Sequence, residues 1–158
     1  MNKLFNYALR LLGRQQYSVA GMETKLAAYL QKRKLLESST AQVIERLLKL
    51  NYLNDAQFAS MAIAASLRRK PQGLTALRNN LKLKGIPADI IKEVIKKADI
   101  DEQLYARRAA TKKLKLLGGE HPRHSAQAQK EKLIRFLAAR GFSASTIYKV
   151  IDGLPSEY

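Results

Sequence analysis

One helical corner is written twice in this chain, and that repetition limits its possible folds more than any bulk property does. Leu77, Leu81, Gly85, Ala88, Ile91, Val94 and Ile95, laid over Leu133, Leu137, Gly141, Ala144, Ile147, Val150 and Ile151, form seven identical pairs at one constant offset. Each copy reads as the end of a Leu-rich helix, a glycine stop and the start of an Ile/Val-rich helix. Glycine enters the left-handed cap without the steric penalty of a Cβ. In the first copy Pro87 suits the opening turn of the next helix, where its missing amide donor is not needed. The first third matches more loosely. Leu26 and Leu30 fit Leu77 and Leu81, and VIERLL (43–48) fits IIKEVI (90–95) after a longer connection. A unit of three short helices exposes an apolar face when alone, so neighbouring units must stack. The expected architecture is all-α, an elongated array of three tandem three-helix repeats spanning residues 1–53, 54–99 and 100–158.

Local signals agree with about nine helices. Leu4, Tyr7, Ala8, Leu11 and Leu12 line one side of a first helix, weakened at Gly13. Ser18 caps a second helix that runs to about Arg33, with Tyr17 and Met22 as its hydrophobic staple. Ser38 or Ser39 caps a third, whose stripe is Val43, Ile44, Leu47 and Leu48 and whose left-handed stop is Asn51. Asn54 opens the fourth, with Gln57 completing a capping box and Leu53 and Phe58 a staple. A fifth, about 72–84, turns Leu74, Leu77 and Leu81 inward and ends at Gly85. A sixth follows Pro87, a seventh spans about 101–117, an eighth reaches Arg140 and a ninth follows Ser143. No segment alternates as a strand.

At 158 residues the chain has room for one domain or a few small modules that share their cores. No run of roughly 18 apolar residues is present to cross a bilayer, and the N-terminus reads as an amphipathic helix instead of a secretory signal. The expected location is cytoplasmic. The absence of cysteine agrees with that compartment and excludes disulfides and thiolate metal sites. Twenty-nine Lys and Arg against thirteen Asp and Glu give a formal charge of +16. Such an imbalance favours anionic partners, because each phosphate neutralised releases condensed counterions.

Catalytic signals are poor. His121 and His124 stand in the Gly/Pro loop GGEHPRH without a convincing carboxylate set, so exposed loop polarity explains them better than a metal site. The acids of DIDE (99–102) could be imagined on magnesium in a nuclease, yet helix capping by Asp99 or Asp101 is the simpler account. The serines have no credible base partner, and no Gly-rich phosphate loop ending in Lys-Ser or Lys-Thr appears. No enzyme activity, no cofactor and no metal is expected.

The basic clusters say more. They comprise Lys32, Arg33 and Lys34; Arg68, Arg69 and Lys70; Arg78, Lys82 and Lys84; Arg108, Lys112 and Lys115; and Arg135 with Arg140. Arg108, Lys112 and Lys115 fall at four- and three-residue steps and can face one way. Recurrence near the ends of related helices suggests a distributed anion-binding track, although any single cluster is equally well read as a solvated face. Tyr29 and Tyr105 are read as core-edge residues in preference to base-stacking platforms.

The chain resembles the RecX regulators of the bacterial RecA recombinase over nearly its whole length. The likeness is strongest in RQQYSVAGMETKL, NYLNDAQFA and QGLTALRNNLKLKGIPADII. Matching positions are Arg14, Ser18, Lys25 and Leu26; Tyr52, Leu53, Asp55, Phe58 and Ala59; and Gly73, Leu81, Gly85 and Ile86. Two positions depart from the family pattern: Gly21 replaces the usual acidic residue and Asn51 the usual glycine. The first loses half of a capping box; the second keeps the left-handed turn. The resemblance implies a nonenzymatic negative modulator that acts on RecA filaments formed on single-stranded DNA; the chain itself is expected to be a monomer. It implies inhibition of ATP hydrolysis, strand exchange and SOS coprotease activity, with the spaced cations on DNA phosphate or acidic RecA surface. Duplex DNA is a further candidate partner. The alternative is a sequence-specific DNA-binding transcriptional regulator using a helix-turn-helix-like unit, although no helix carries a convincing set of base-reading residues.

Overall fold

The computed structural model describes residues 2–34, 39–118 and 126–154. His121, His124 and Ser38 lie outside the described residues. Among the described residues the chain forms helices without strands: α1 (Asn2–Leu12), α2 (Val19–Lys32), α3 (Ser39–Lys49), α4 (Asp55–Arg69), α5 (Leu74–Leu83), α6 (Ala88–Lys97), α7 (Glu102–Gly118), α8 (Ala126–Ala139) and α9 (Ala144–Asp152). Two compact units divide the chain. One holds residues 1–62 and 81–94, the other residues 63–80 and 95–158. The middle helices are therefore shared, α4, α5 and α6 each contributing residues to both units.

In the first unit α1, α2 and α3 pack around Leu4, Phe5, Ala8, Met22, Leu26, Leu30, Val43, Ile44, Leu47 and Leu53. The amphipathic spacing of each helix puts these side chains on one stripe. Leu48, read from the sequence as part of that stripe, is 45% exposed, because the buried arc is already filled by its neighbours Val43, Ile44 and Leu47. In the second unit α7, α8 and α9 enclose Ala106, Ala109, Ala110, Leu114, Leu133, Leu137, Phe142, Ile147, Val150 and Ile151. The alanines of α7 let its backbone approach its partners closely. Each fully buried leucine contributes about 2 kcal/mol by leaving water.

The duplicated corner is one structure built twice. Gly85 and Gly141 have φ of 74° and 75°. Their amides donate to Lys82 and Ala138 carbonyls at 2.9 Å, and the next amides, of Ile86 and Phe142, reach back to Leu81 and Leu137. This is the paired bonding that closes a helix on a left-handed residue. Burial also matches across the pairs: Leu77, Leu81, Ile91, Val94 and Ile95 are buried, as are their counterparts, while Ala88 and Ala144 are exposed. A third corner lies at the end of α2. Lys34, four residues after Leu30 as Gly85 is after Leu81, has φ of 54° and donates to the Gln31 carbonyl at 3.1 Å.

Caps read from the sequence are in place. Ser18 Oγ accepts from Gly21 N at 3.1 Å, Asn54 Oδ1 from Gln57 N at 3.0 Å and Asp101 Oδ1 from Leu104 N at 2.9 Å. Asn51 is left-handed at φ 55° and ends α3. Pro87 stands one residue before α6, where its carbonyl accepts the first helical bond from Ile91, so it flanks the first turn instead of lying in it. The fifth helix starts at Leu74 and not at Gln72, since the amide of Gly73 is drawn to the Arg140 carbonyl at 2.9 Å.

Two further joints have one plan. In the first unit the cap residue before α2, Ser18, donates to the carbonyl of Lys84, just before Gly85, at 2.6 Å. The first amide of α2, Val19 N, donates to Asp55 Oδ1 at 2.8 Å, and a Cβ on Gly85 would collide with Ala20. In the second unit the residue before α5, Gly73, donates to the carbonyl of Arg140, just before Gly141. The first amide of α5, Leu74 N, donates to Glu102 Oε1 at 2.8 Å, and a Cβ on Gly141 would lie 2.5 Å from Ala76 N. A carboxylate from the first residue of α4 or α7 thus satisfies an orphan helix donor each time.

Candidate anion-binding surface

The sequence-derived cations divide between the units. Lys32, Arg33, Lys34, Lys82 and Lys84 belong to the first; Arg68, Arg69, Lys70, Arg78, Arg108, Lys112, Lys115, Arg135 and Arg140 belong to the second. All are exposed except Arg140, which is half-buried. Exposure follows from the helix repeat. On α7, Arg108, Lys112 and Lys115 lie within one arc opposite the buried Ala106, Ala109, Ala110 and Leu114. On α5, Arg78 and Lys82 are one turn apart, beside the buried Leu77 and Leu81. Arg68 and Arg69 occupy the last turn of α4 and Lys70 follows them. Cations at a helix C-terminus also complement its partial negative charge, an effect of about 0.3–1 kcal/mol.

Several of these side chains have internal partners. Arg140 donates from one guanidinium nitrogen to the Pro71 carbonyl at 3.2 Å and lies 4.8 Å over the Phe136 ring. It braces the second joint as well as carrying charge. Arg135 donates to the Glu131 carbonyl one turn back at 3.4 Å. Arg33 covers Tyr29 at 4.6 Å, and Tyr29 stacks on Tyr7 at 4.1 Å. Arg108 stands 5.8 Å over Tyr105 and Lys84 5.6 Å over Phe58. Tyr29 and Tyr105 are half-buried against the two cores, at their edges as expected.

The acids of DIDE serve the fold. Asp101 caps α7, and Asp99 takes a left-handed φ of 42° ahead of it. Glu102 is a hub: it accepts from Leu74 N, from Ser143 Oγ at 2.8 Å and from Thr146 Oγ1 at 2.9 Å. Partial burial pushes its carboxyl up, but the bonds from the Leu74 amide, Ser143 and Thr146 outweigh that and hold it below the usual carboxylate range. Among the described residues no group of three His, Asp or Glu side chains converges to hold a metal ion, and no helix is long and apolar enough to cross a membrane.

One feature escaped the sequence reading. An open groove of about 380 Å³ lies on the first joint, walled by residues 15–18, 20, 21 and 24, Phe58 and residues 82–85. Gln15, Gln16, Tyr17, Thr24, Lys82 and Lys84 line it, and no acidic side chain does. Leu83, on its rim, is 86% exposed.

Comparison with known proteins fits this architecture. Residues 54–95 match the family model of the RecX second three-helix domain and residues 101–151 that of the third. The Regulatory protein RecX of Chlorobium phaeobacteroides is 35% identical over 150 residues, covering 95% of this chain and 92% of that protein. That of Chlorobaculum tepidum is 39% identical over 147 residues, covering 92% and 84%. The crystal structure of RecX from Lactobacillus salivarius superposes with a TM-score of 0.80 at 23% identity, covering 96% of this chain and 94% of that one. With two of its three-helix segments matched and relatives similar along almost their whole length, the chain belongs to the RecX family of regulatory proteins.

Proposed function

We propose that the chain regulates the RecA recombinase, and that it does so as a monomeric, cytoplasmic negative modulator with no catalysis of its own. It binds RecA filaments on single-stranded DNA and lowers ATP hydrolysis, strand exchange and the coprotease activity that triggers the SOS response. Family membership along nearly the whole chain carries this reading. The charge of +16 and the cations exposed in both units support it physically, since a filament that includes DNA is a polyanion. In this reading the chain is organised as units 1–53, 54–99 and 100–158, with the cations of each unit meeting DNA phosphate or acidic protein surface.

The test is RecA's DNA-dependent ATPase at several salt concentrations, with wild type and with Arg68→Ala, Arg69→Ala and Lys70→Ala combined. Inhibition by wild type should weaken steeply with salt. Each lost phosphate contact lowers the log-log salt slope by about 0.7 on single strands, so the triple variant should lose about two units of slope. Its helicity should be unchanged, because all three side chains are exposed. Normal inhibition by the triple variant removes this cluster from the binding surface. No effect of wild type on the ATPase, combined with preference for one duplex sequence, would favour the transcriptional alternative.

A further inference from the structure

The two corners at Gly85 and Gly141 act as internal controls for one another. Both glycines have the same backbone conformation and the same closing bonds. The constant offset between the copies places Lys82, Leu83 and Lys84 over Ala138, Ala139 and Arg140. At the second corner the fold is satisfied by two small residues, and Arg140 folds back onto the Pro71 carbonyl and the Phe136 ring. At the first corner a leucine that touches no core is held 86% exposed between two exposed lysines, beside a groove. Nothing in the closure of the helix requires Lys-Leu-Lys there. At 86%, Leu83 is the most exposed large apolar side chain among the described residues and contributes nothing to burial; what sets it apart from other single surface leucines is its place between two lysines on a groove without acids.

We propose that Lys82, Leu83 and Lys84, with the adjoining groove, dock an acidic protein segment in which carboxylates flank an apolar side chain. The apolar residue would enter the groove beside Tyr17 and Phe58, Leu83 would pack on the partner's own apolar surface, and the carboxylates would meet the two lysines. Charge supports this choice, because no acidic side chain lines the groove to repel them. A protein partner is favoured over a nucleic-acid strand by the aliphatic knob. The two rings of the groove are half-buried and Lys84 covers Phe58, so neither offers a free stacking face.

The inference rests on the proposed action on RecA filaments for its choice of probe. Benzoylphenylalanine incorporated at Leu83, and separately at the comparably apolar exposed position Tyr148, would be irradiated with RecA assembled on single-stranded DNA. Position 83 should crosslink to a RecA peptide rich in Asp and Glu, and position 148 should not give that product. In parallel, Leu83→Ala should weaken cosedimentation with the filaments by roughly tenfold while affinity for oligothymidine alone changes less than twofold. Crosslinking of position 83 to DNA, crosslinking to a peptide without acids, or unchanged cosedimentation of Leu83→Ala would each overturn the proposal. Cosedimentation of the unmodified chain separates the two hypotheses: if it fails to bind filaments, the RecA reading falls; if it binds and position 83 is silent, only the docking site falls.

Discussion

Replacement of Glu102 should destabilise the second unit more than any other single change to a partly exposed acidic residue. The carboxylate accepts three bonds from two other helices or their caps: Leu74 N, Ser143 Oγ and Thr146 Oγ1. Loss of an acceptor at the start of α5 costs about 1 kcal/mol, as removal of a helix cap does. The two hydroxyls lose a charged partner, worth about 1.5–3 kcal/mol each when fully buried. Here the loss is smaller, roughly 0.5 kcal/mol each, because solvent reaches the site and Ser143 still bonds Thr146 at 2.8 Å. Glu102→Ala should therefore lose about 2 kcal/mol, and Glu102→Gln, which keeps an acceptor for Leu74, about 1 kcal/mol. Urea denaturation followed by circular dichroism measures both. The sign of the pH dependence follows from the lowered carboxyl pKa. Its stabilisation is present above the ordinary Glu value, about 4.3, and disappears as pH falls through the lower folded value. The gap between wild type and Glu102→Gln should be constant from pH 6 to 8 and close in acid below about pH 4. If both variants unfold with wild type, or if the gap is as wide in acid as at neutral pH, Glu102 is not the hub of this unit.

Two further changes probe the corners. Gly141→Ala forces a Cβ to 2.5 Å from the Ala76 amide in a left-handed conformation, so it should cost about 3 kcal/mol or more and show as a lower urea midpoint. Lys34→Gly removes the strain of a side chain at φ 54° and should stabilise the first unit by about 1 kcal/mol in the same measurement. It also removes a cation, so filament affinity should fall even as the midpoint rises.

What could be read in the sequence was what is local. Ser18, Asn54 and Asp101 cap helices through bonds to amides three residues away, and such spacing is visible in a string of letters. The glycine corners were visible because they repeat. The joints were not. Asp55 and Glu102 look like ordinary acids in a first helical turn, and nothing near them in sequence indicates that they satisfy Val19 and Leu74. Ser18 was legible as a cap but not as a donor to Lys84, 66 residues away. Lys34 was read only as charge, because no glycine marks its turn. Exposure of the cations was legible from periodicity; the bond from Arg140 to Pro71 was not, since a long flexible side chain gives no signal of where its head will settle. Leu83 falls off the stripe of Leu74, Leu77 and Leu81, so its exposure agrees with periodicity, but the groove beside it, built from residues far away in sequence, gave no signal.

The joints are written mostly in backbone groups, three glycines, small alanines, the Ser18 hydroxyl and one carboxylate each. Apart from Arg140, which braces the second joint through Pro71, a seam of that kind makes little use of the long side chains around it. Evolution or a designer could therefore recolour the outer helix faces, swapping lysine for glutamate or trimming a protruding leucine, and still find the pieces locking together. Partner choice and assembly are, in such a chain, separately adjustable.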